Sequence, residues 1–277
     1  MTAAWYRLLV PSLLVMALLL AGSQAAFLAA SLHRDTGFGL QDPAAGLANY
    51  VAVLTDPFYL GVLWTSVAIS AVAAAWVVGL GFPTAYVLAR ARSGWAPAML
   101  AFVLLSAFVS IAIKIYGLMI IFAADGALNR TLLALGLVQA PVTLIGTRLG
   151  VGVGLGYFSF GFAVMLLYNI VRTIPRGLED AASAHGAGRL RTLLRIVLPL
   201  AAPGLATVYL TVFNLCMGAF TSAALLGAGR VLTLPVLIER TIVAEVRYGL
   251  GGSLAAVLML FVLALNLMAT MARRRPA

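Results

Sequence analysis

Six stretches of this chain stay apolar for about the length of a bilayer-crossing helix, and no other feature narrows its fold as sharply. They run roughly over 8–31, 60–88, 97–122, 147–171, 201–226 and 249–271. An α-helix needs about 20 predominantly apolar residues to cross the hydrocarbon of a membrane. Within lipid, only helices and closed barrels satisfy every backbone polar group. A barrel would show short segments alternating with period two; these runs are too long and too evenly apolar for that. Several contain Pro or Gly, which membrane helices tolerate. Composition points the same way: 63% of the 277 residues are hydrophobic and 9% charged, against about 25% charged in a soluble domain. Too few polar side chains remain to cover a water-facing surface. The expected fold class is all-α, a polytopic membrane protein with six transmembrane helices. A single transmembrane domain is expected over residues 1–277. A soluble enzyme, a disulfide scaffold and a disordered tail are excluded.

The first run resembles a signal peptide at its start, where Arg7 precedes an apolar stretch with small residues near Gln24 to Ala26. It continues to Leu32, longer than an ordinary signal core, and reads instead as an anchor.

Charge placement predicts the orientation. With the N-terminus in the cytoplasm, the inner side holds Arg7, Arg90, Arg92, Arg172, Arg176, Arg189, Arg191, Arg195, Arg273, Arg274 and Arg275 against Glu179 and Asp180. The outer side holds Arg34, Arg130, Arg148, Arg230, Arg240 and Arg247, balanced by Asp35, Asp42, Asp56, Asp125, Glu239 and Glu245. The positive-inside rule therefore places both termini in the cytoplasm, with Arg273 to Arg275 anchoring the inner end of the last span. The net charge of +10 reads as topology, so no nucleic-acid partner is expected.

Motifs for chemistry are missing. A phosphate-cradling loop needs Gly-x-x-x-x-Gly-Lys-Ser/Thr, and the sole lysine, Lys114, sits in Ile111-Ala-Ile-Lys-Ile. His33 and His185, the only histidines, fall on opposite sides of the membrane, and Cys216 is the only cysteine. No catalytic residue and no metal ligand is therefore assigned. Glycines 150, 152, 154 and 156 do not match Gly-x-Gly-x-x-Gly; small-x-x-x-small spacing reads as close helix packing.

The longest inner loop, residues 172–200, is RTIPRGLEDAASAHGAGRLRTLLRIVLPL with its first residue Arg172. Pro175 suits a first helical turn, and Glu179 and Asp180 lie near that start, where negative charge complements the helix dipole. Ala181, Ala182 and Ala184 make a small, smooth surface. Gly186 and Gly188 permit a sharp change of direction. Leu190, Leu193, Leu194 and Val197 then recur at helical spacing among arginines, and Pro199 and Pro203 bracket the start of the fifth span. On physics alone this is an amphipathic helix at the membrane surface.

Asp180-Ala-Ala-x-x-x-Gly186, then nine residues, then Ile196-x-Leu198-Pro199, resembles the EAA loop of binding-protein-dependent ABC importer permeases, with Asp180 where the family usually has Glu. Gly46-Leu-Ala-Asn-Tyr50 with Asp56-Pro57, Pro83-x-Ala-Tyr86-x-Leu-Ala-Arg90, Gly126-x-Leu-Asn129, Thr147-Arg148 and Leu225-Leu226-Gly227 resemble the spermidine/putrescine-type branch. The resemblance implies the type I ABC importer permease fold, with its core at about 46–271, in the bacterial inner membrane. It implies a second permease subunit, an ABC ATPase dimer on the cytoplasmic face, and an extracytoplasmic substrate-binding protein. The chain itself would hold no cofactor, ATP and Mg²⁺ being bound by the ATPase. The EAA loop would be the coupling helix, with Asp180, Ala181, Ala182 and Gly186 touching the ATPase. Glu179 and Ile196 lie in the same loop, and Leu198-Pro199 shape its return.

Ionisable groups within lipid are costly and mark functional sites. Lys114 is the clear one, beside Tyr116, with snorkelling or an ion pair to a neighbouring subunit as structural alternatives. Asn214 and Asn266 are further candidates for the path, or serve interhelical hydrogen bonding. Polyamine permeases of the branch often carry an acidic residue where Ala219 stands, and another near Ala223. Their absence, with Lys114 present, points to a zwitterionic or anionic cargo, amino-acid-like or phosphonate, though polyamine-type solutes belong to the branch. The competing class is an ion-gradient-driven secondary transporter, which usually places ionisable residues near the midplane in repeated halves; neither feature is evident.

Overall fold

The computed structural model describes residues 2–91 and 94–274. Arg92 and Arg275, and the side chains of Arg7, Arg273 and Arg274, lie outside the described part. The elements in order are α1 (Thr2–Ser31), β1 (His33–Gly37), β2 (Leu40–Ala45), α2 (Ala48–Thr55), α3 (Pro57–Arg90), α4 (Trp95–Phe108), α5 (Ile111–Phe122), α6 (Ala127–Ala134), α7 (Arg148–Thr173), α8 (Arg176–Ala184), α9 (Arg189–Thr192), a π-turn (Leu193–Val197), α10 (Leu198–Met217), α11 (Phe220–Gly227), α12 (Leu234–Glu239), a second π-turn (Arg240–Ala244) and α13 (Tyr248–Arg274). Six helical segments among the described residues are long and apolar enough to cross a membrane. The all-α expectation holds apart from one two-stranded hairpin.

Two spans depart from the sequence expectation. The third, expected as one helix over 97–122, is broken between α4 and α5 at Val109 and Ser110, both extended at ψ near 135°. Val loses rotamer freedom in a helix and Ser bonds well outside one, so the pair terminates α4 without Pro or Gly. The fifth, expected over 201–226, begins earlier and ends earlier: helix runs from Arg189 to Met217 and stops at Gly218, with α11 restarting at Phe220. Pro199, expected to shape a return of the loop, therefore lies inside a helix. Having no N–H, it follows a π-turn in which the Leu198 N–H reaches back to Leu193.

The chain forms two compact units, Met1–Leu63 with Leu234–Ala277, and Trp64–Thr233. In the first, α1 packs along α13, and the strands pair antiparallel with Asp35 opposite Gln41. The Asp35 carboxylate accepts from the backbone N–H groups of Gly249 (2.9 Å) and Leu250 (2.8 Å). A residue of β1 thus caps the N-terminus of α13, supplying both hydrogen-bond acceptors and negative charge where the dipole favours it. The Asn49 amide ties α2 to the same region by donating to the carbonyls of Ser31 and His33.

In the second unit α7 is the central helix. Thr147 caps it, its Oγ1 accepting from the Gly150 N–H at 3.0 Å. Gly150, Gly152, Gly154 and Gly156 are all buried in it, and the packing role expected for them is what they perform. A Cβ at Gly156 would run into the indole of Trp76, which stacks on Phe160 at 6.4 Å. Removing side chains lets dispersion contacts form at backbone distance, the main attraction between helices in lipid. Asn129, fully buried, holds the segment before α7: its amide donates to the carbonyls of Ala123 and Val142 and its Oδ1 accepts from the Val142 N–H.

Candidate coupling site

The residues of α8 dictate a helix with two unlike faces. Pro175 is its N-cap, one residue outside the first turn in which it was expected, and Glu179 lies in that turn. None of its residues is buried. Leu178, Asp180, Ala181 and Ala184 are exposed, whereas Glu179 and Ala182 are half-buried. Spacing of three and four places the exposed set on one side and the half-buried pair on the other.

The C-terminus of α8 explains its glycine. Gly186 has φ +79°, the Gly186 N–H donates to the Ser183 carbonyl and the Ala187 N–H donates to the Ala182 carbonyl, both at 3.0 Å. This pair of bonds is the Schellman motif, which satisfies the last carbonyls of a helix and requires a left-handed residue after its end. Space around Gly186 is open within the chain. The glycine therefore stops the helix sharply and turns the chain toward α9.

The half-buried face is fastened to the end of α3. Arg90 Nη2 lies 2.6 Å from Glu179 Oε1, and the Tyr86 hydroxyl donates to Glu179 Oε2 at 2.8 Å. Arg90 Nη2 also donates to the Ile174 carbonyl, and Arg176 Nη2 donates to the Ala89 carbonyl, each at 2.9 Å. The exchange is reciprocal: an arginine of the span holds the loop's backbone, and an arginine of the loop satisfies a carbonyl in the last turn of the span, which has no helical partner. A cavity of about 590 Å³ remains beside the clamp, between the end of α3 and the loop. Tyr86 and Arg90 are one helical turn apart and so share a face. That spacing was the sequence signal available for them, but nothing local pairs them with Glu179.

Of the other loop residues, Asp180 and Ala181 lie on the exposed face. Ile196 and Leu198 are half-buried and Pro199 exposed in the helix rising from Arg189. The candidate path residues are divided between the two units, Lys114, Tyr116 and Asn214 in the second and Asn266 in the first. Lys114 is 6% exposed on α5, its ammonium 5.9 Å from the centroid of the Tyr157 ring, with no carboxylate at ion-pair distance among the described residues. Tyr116, two positions on, is exposed. Asn214 lines a cavity beside the break between α10 and α11. Asn266 belongs to the other unit, where its amide donates to the Val262 carbonyl of its own helix.

Residues 81–275 match the family described as binding-protein-dependent transport system inner membrane component. The spermidine/putrescine transport system permease protein PotB of Escherichia coli is 34% identical over 193 residues, 70% of each chain. That of Haemophilus influenzae is 29% identical over 209 residues, 76% of this chain and 73% of its own. A solved bacterial ABC transporter involved in the import of the acidic polysaccharide alginate matches with TM-score 0.82 at 18% identity, over 99% of this chain and 96% of that one. The MetNI methionine ABC transporter, in an inward-facing conformation, matches with TM-score 0.60 at 20% identity over 79% of this chain.

Proposed function

The chain belongs to the family of binding-protein-dependent transport system inner membrane components and is a permease subunit of an ABC importer, and from this we propose how it works and what it carries. It spans the membrane several times, with both termini in the cytoplasm of a bacterial cell. It pairs with a second permease, rests on an ABC ATPase dimer that holds ATP and Mg²⁺, and receives cargo from an extracytoplasmic binding protein. The chain itself is non-catalytic. The exposed face of α8, carrying Asp180 and Ala181, seats in the ATPase, and the clamp to Tyr86 and Arg90 carries displacement of α8 into α3 as a rigid-body movement.

The observation that carries this reading is the asymmetry of α8. One face is fastened to a span by the ion pair and hydrogen bond of Glu179, with Ile174 just before the helix and Arg176 at its start bonding the same span; the other is small, exposed and unoccupied by the chain itself. The test is uptake in proteoliposomes. ATP-driven accumulation should require the ATPase, the second permease and the binding protein together; accumulation by this chain alone would refute the proposal.

The cargo is a small zwitterionic or anionic solute, amino-acid-like or phosphonate. Support comes from α11 and its approach, where Ala219 and Ala223 stand and no acidic residue occurs over 198–227. A polycation would favour carboxylates along its route. Submicromolar spermidine or putrescine binding by the cognate binding protein, with none for anions, would overturn this.

A further inference from the structure

Two of the spans are discontinuous, and both breaks open onto one cavity. Its volume is about 460 Å³, and its lining includes Ile111, Asn214, Gly218, Ala219, Phe220 and Ser222. Ile111 is the first residue of α5 and Phe220 the first of α11. Neither helix has a side chain capping its start: Ser110 and Ala219 hold the cap positions without a side-chain bond. The first N–H groups of a helix have no partner within it, and the dipole gives that end partial positive charge. Inside a membrane such half-helix starts are where transporters hold anionic groups.

A second observation at the same place is independent of the helix ends. Ser222 is 1% exposed, and its Oγ has no hydrogen-bond partner. An unsatisfied buried hydroxyl costs on the order of a lost hydrogen bond, so this one is held ready for something that the chain does not supply. Charge agrees: α5, α7, α10 and α11 contain no acidic residue, and Lys114 lies one turn into α5, its ammonium over the Tyr157 ring.

We propose that the cavity between the starts of α5 and α11 binds the oxyanion group of the cargo, a carboxylate or phosphonate, through the first-turn N–H groups of α11 and the Ser222 hydroxyl, with Lys114 adding positive potential. This rests on the reading of the chain as an importer subunit and names the chemistry its path recognises.

The test uses the assembled importer in nanodiscs, with acetate, methylphosphonate and putrescine as separate probes followed by saturation-transfer NMR. Acetate or methylphosphonate should bind saturably and putrescine should not; the tighter of the two anions identifies the group. Ser222→Ala should weaken anion binding about tenfold, the worth of one hydrogen bond to a charged group. Ala219→Asp should abolish it, because its carboxylate at the cap position takes the same N–H donors, while the complex stays assembled by size exclusion. Absence of saturable anion binding, equal binding of putrescine, or parental affinity in Ser222→Ala would each overturn the site. Failure of the importer reading has a different signature, since ATP-driven uptake would then be missing from the parental complex whatever the probes do.

Discussion

Arg90 and Glu179 meet at 2.6 Å across the junction of a membrane span and the loop that follows another, with side chains 14% and 16% exposed. At that degree of burial water screens the pair poorly, and removing one partner strands the charge of the other. It also has company: Tyr86 occupies the second carboxylate oxygen, and the arginine reaches a backbone carbonyl as well. Glu179 is therefore a positioning residue that sets where α8 stands.

Breaking this pair should uncouple the importer. Arg90→Ala and Glu179→Ala should each lower the solute imported per ATP hydrolysed by about tenfold, the scale of a charge-assisted hydrogen bond. The double variant should be little worse than either single one, because both remove the same interaction. The measurement is paired uptake and phosphate release in proteoliposomes; fully additive losses would contradict the clamp.

Gly186 tests the cap. Valine at φ +79° is strained by about 1–2 kcal/mol, and asparagine much less so. Gly186→Val should therefore leave the protein in the membrane and stop uptake, while Gly186→Asn keeps a measurable rate. Equal activity of the two, assayed at matched expression, would mean that the left-handed turn is dispensable.

Asp180 tests the exposed face. Asp180→Lys reverses a charge near the start of α8, where the dipole disfavours cations, without touching the clamp. Less ATPase should copurify with the variant permease. An unchanged ratio of the two subunits on a gel would remove Asp180 from the contact.

Packing in the second unit is tested at Gly156. A methyl group there collides with the Trp76 indole, so Gly156→Ala should destabilise the unit by about 1–3 kcal/mol. The melting temperature of the detergent-solubilised protein should fall. Gly156→Ala combined with Trp76→Phe, a smaller ring, should recover part of that loss.

Asp35 tests the first unit. Asp35→Ala removes the acceptors at the start of α13 and should cost about 1 kcal/mol, with Asp35→Asn losing less because it keeps one acceptor. Hydrogen exchange at Gly249 and Leu250 should quicken in the alanine variant.

Much of this was legible beforehand because lipid imposes a length rule on sequence. The runs over 60–88, 147–171 and 249–271 each became one helix within a few residues, and the loop with its alanines and Gly186 became a short capped helix. The breaks at Val109–Ser110 and Gly218 escaped because an interruption inside an apolar run changes no hydropathy: Val and Ser continue the pattern that a helix would have. The hairpin over 33–45 escaped for the opposite reason, being too short and polar for a period-two signal. The clamp and the Asp35 cap join residues distant in sequence, and single-sequence patterns carry only local spacing. Lys114, Tyr116, Asn214 and Asn266 were singled out by polarity in apolar surroundings, a criterion that does not say which helices stand together.

The Asp35 cap has a consequence for how the molecule is made. The carboxylate is synthesised more than two hundred residues before the amides it receives, Leu250 following Asp35 by 215 residues. The unit they share is built from two stretches separated in sequence by the whole of the other unit. During translation the hairpin is made long before the amides that donate to its Asp35 carboxylate. A chain interrupted before residue 249 leaves α1 without α13 to pack along, so that unit closes only once both stretches have been made.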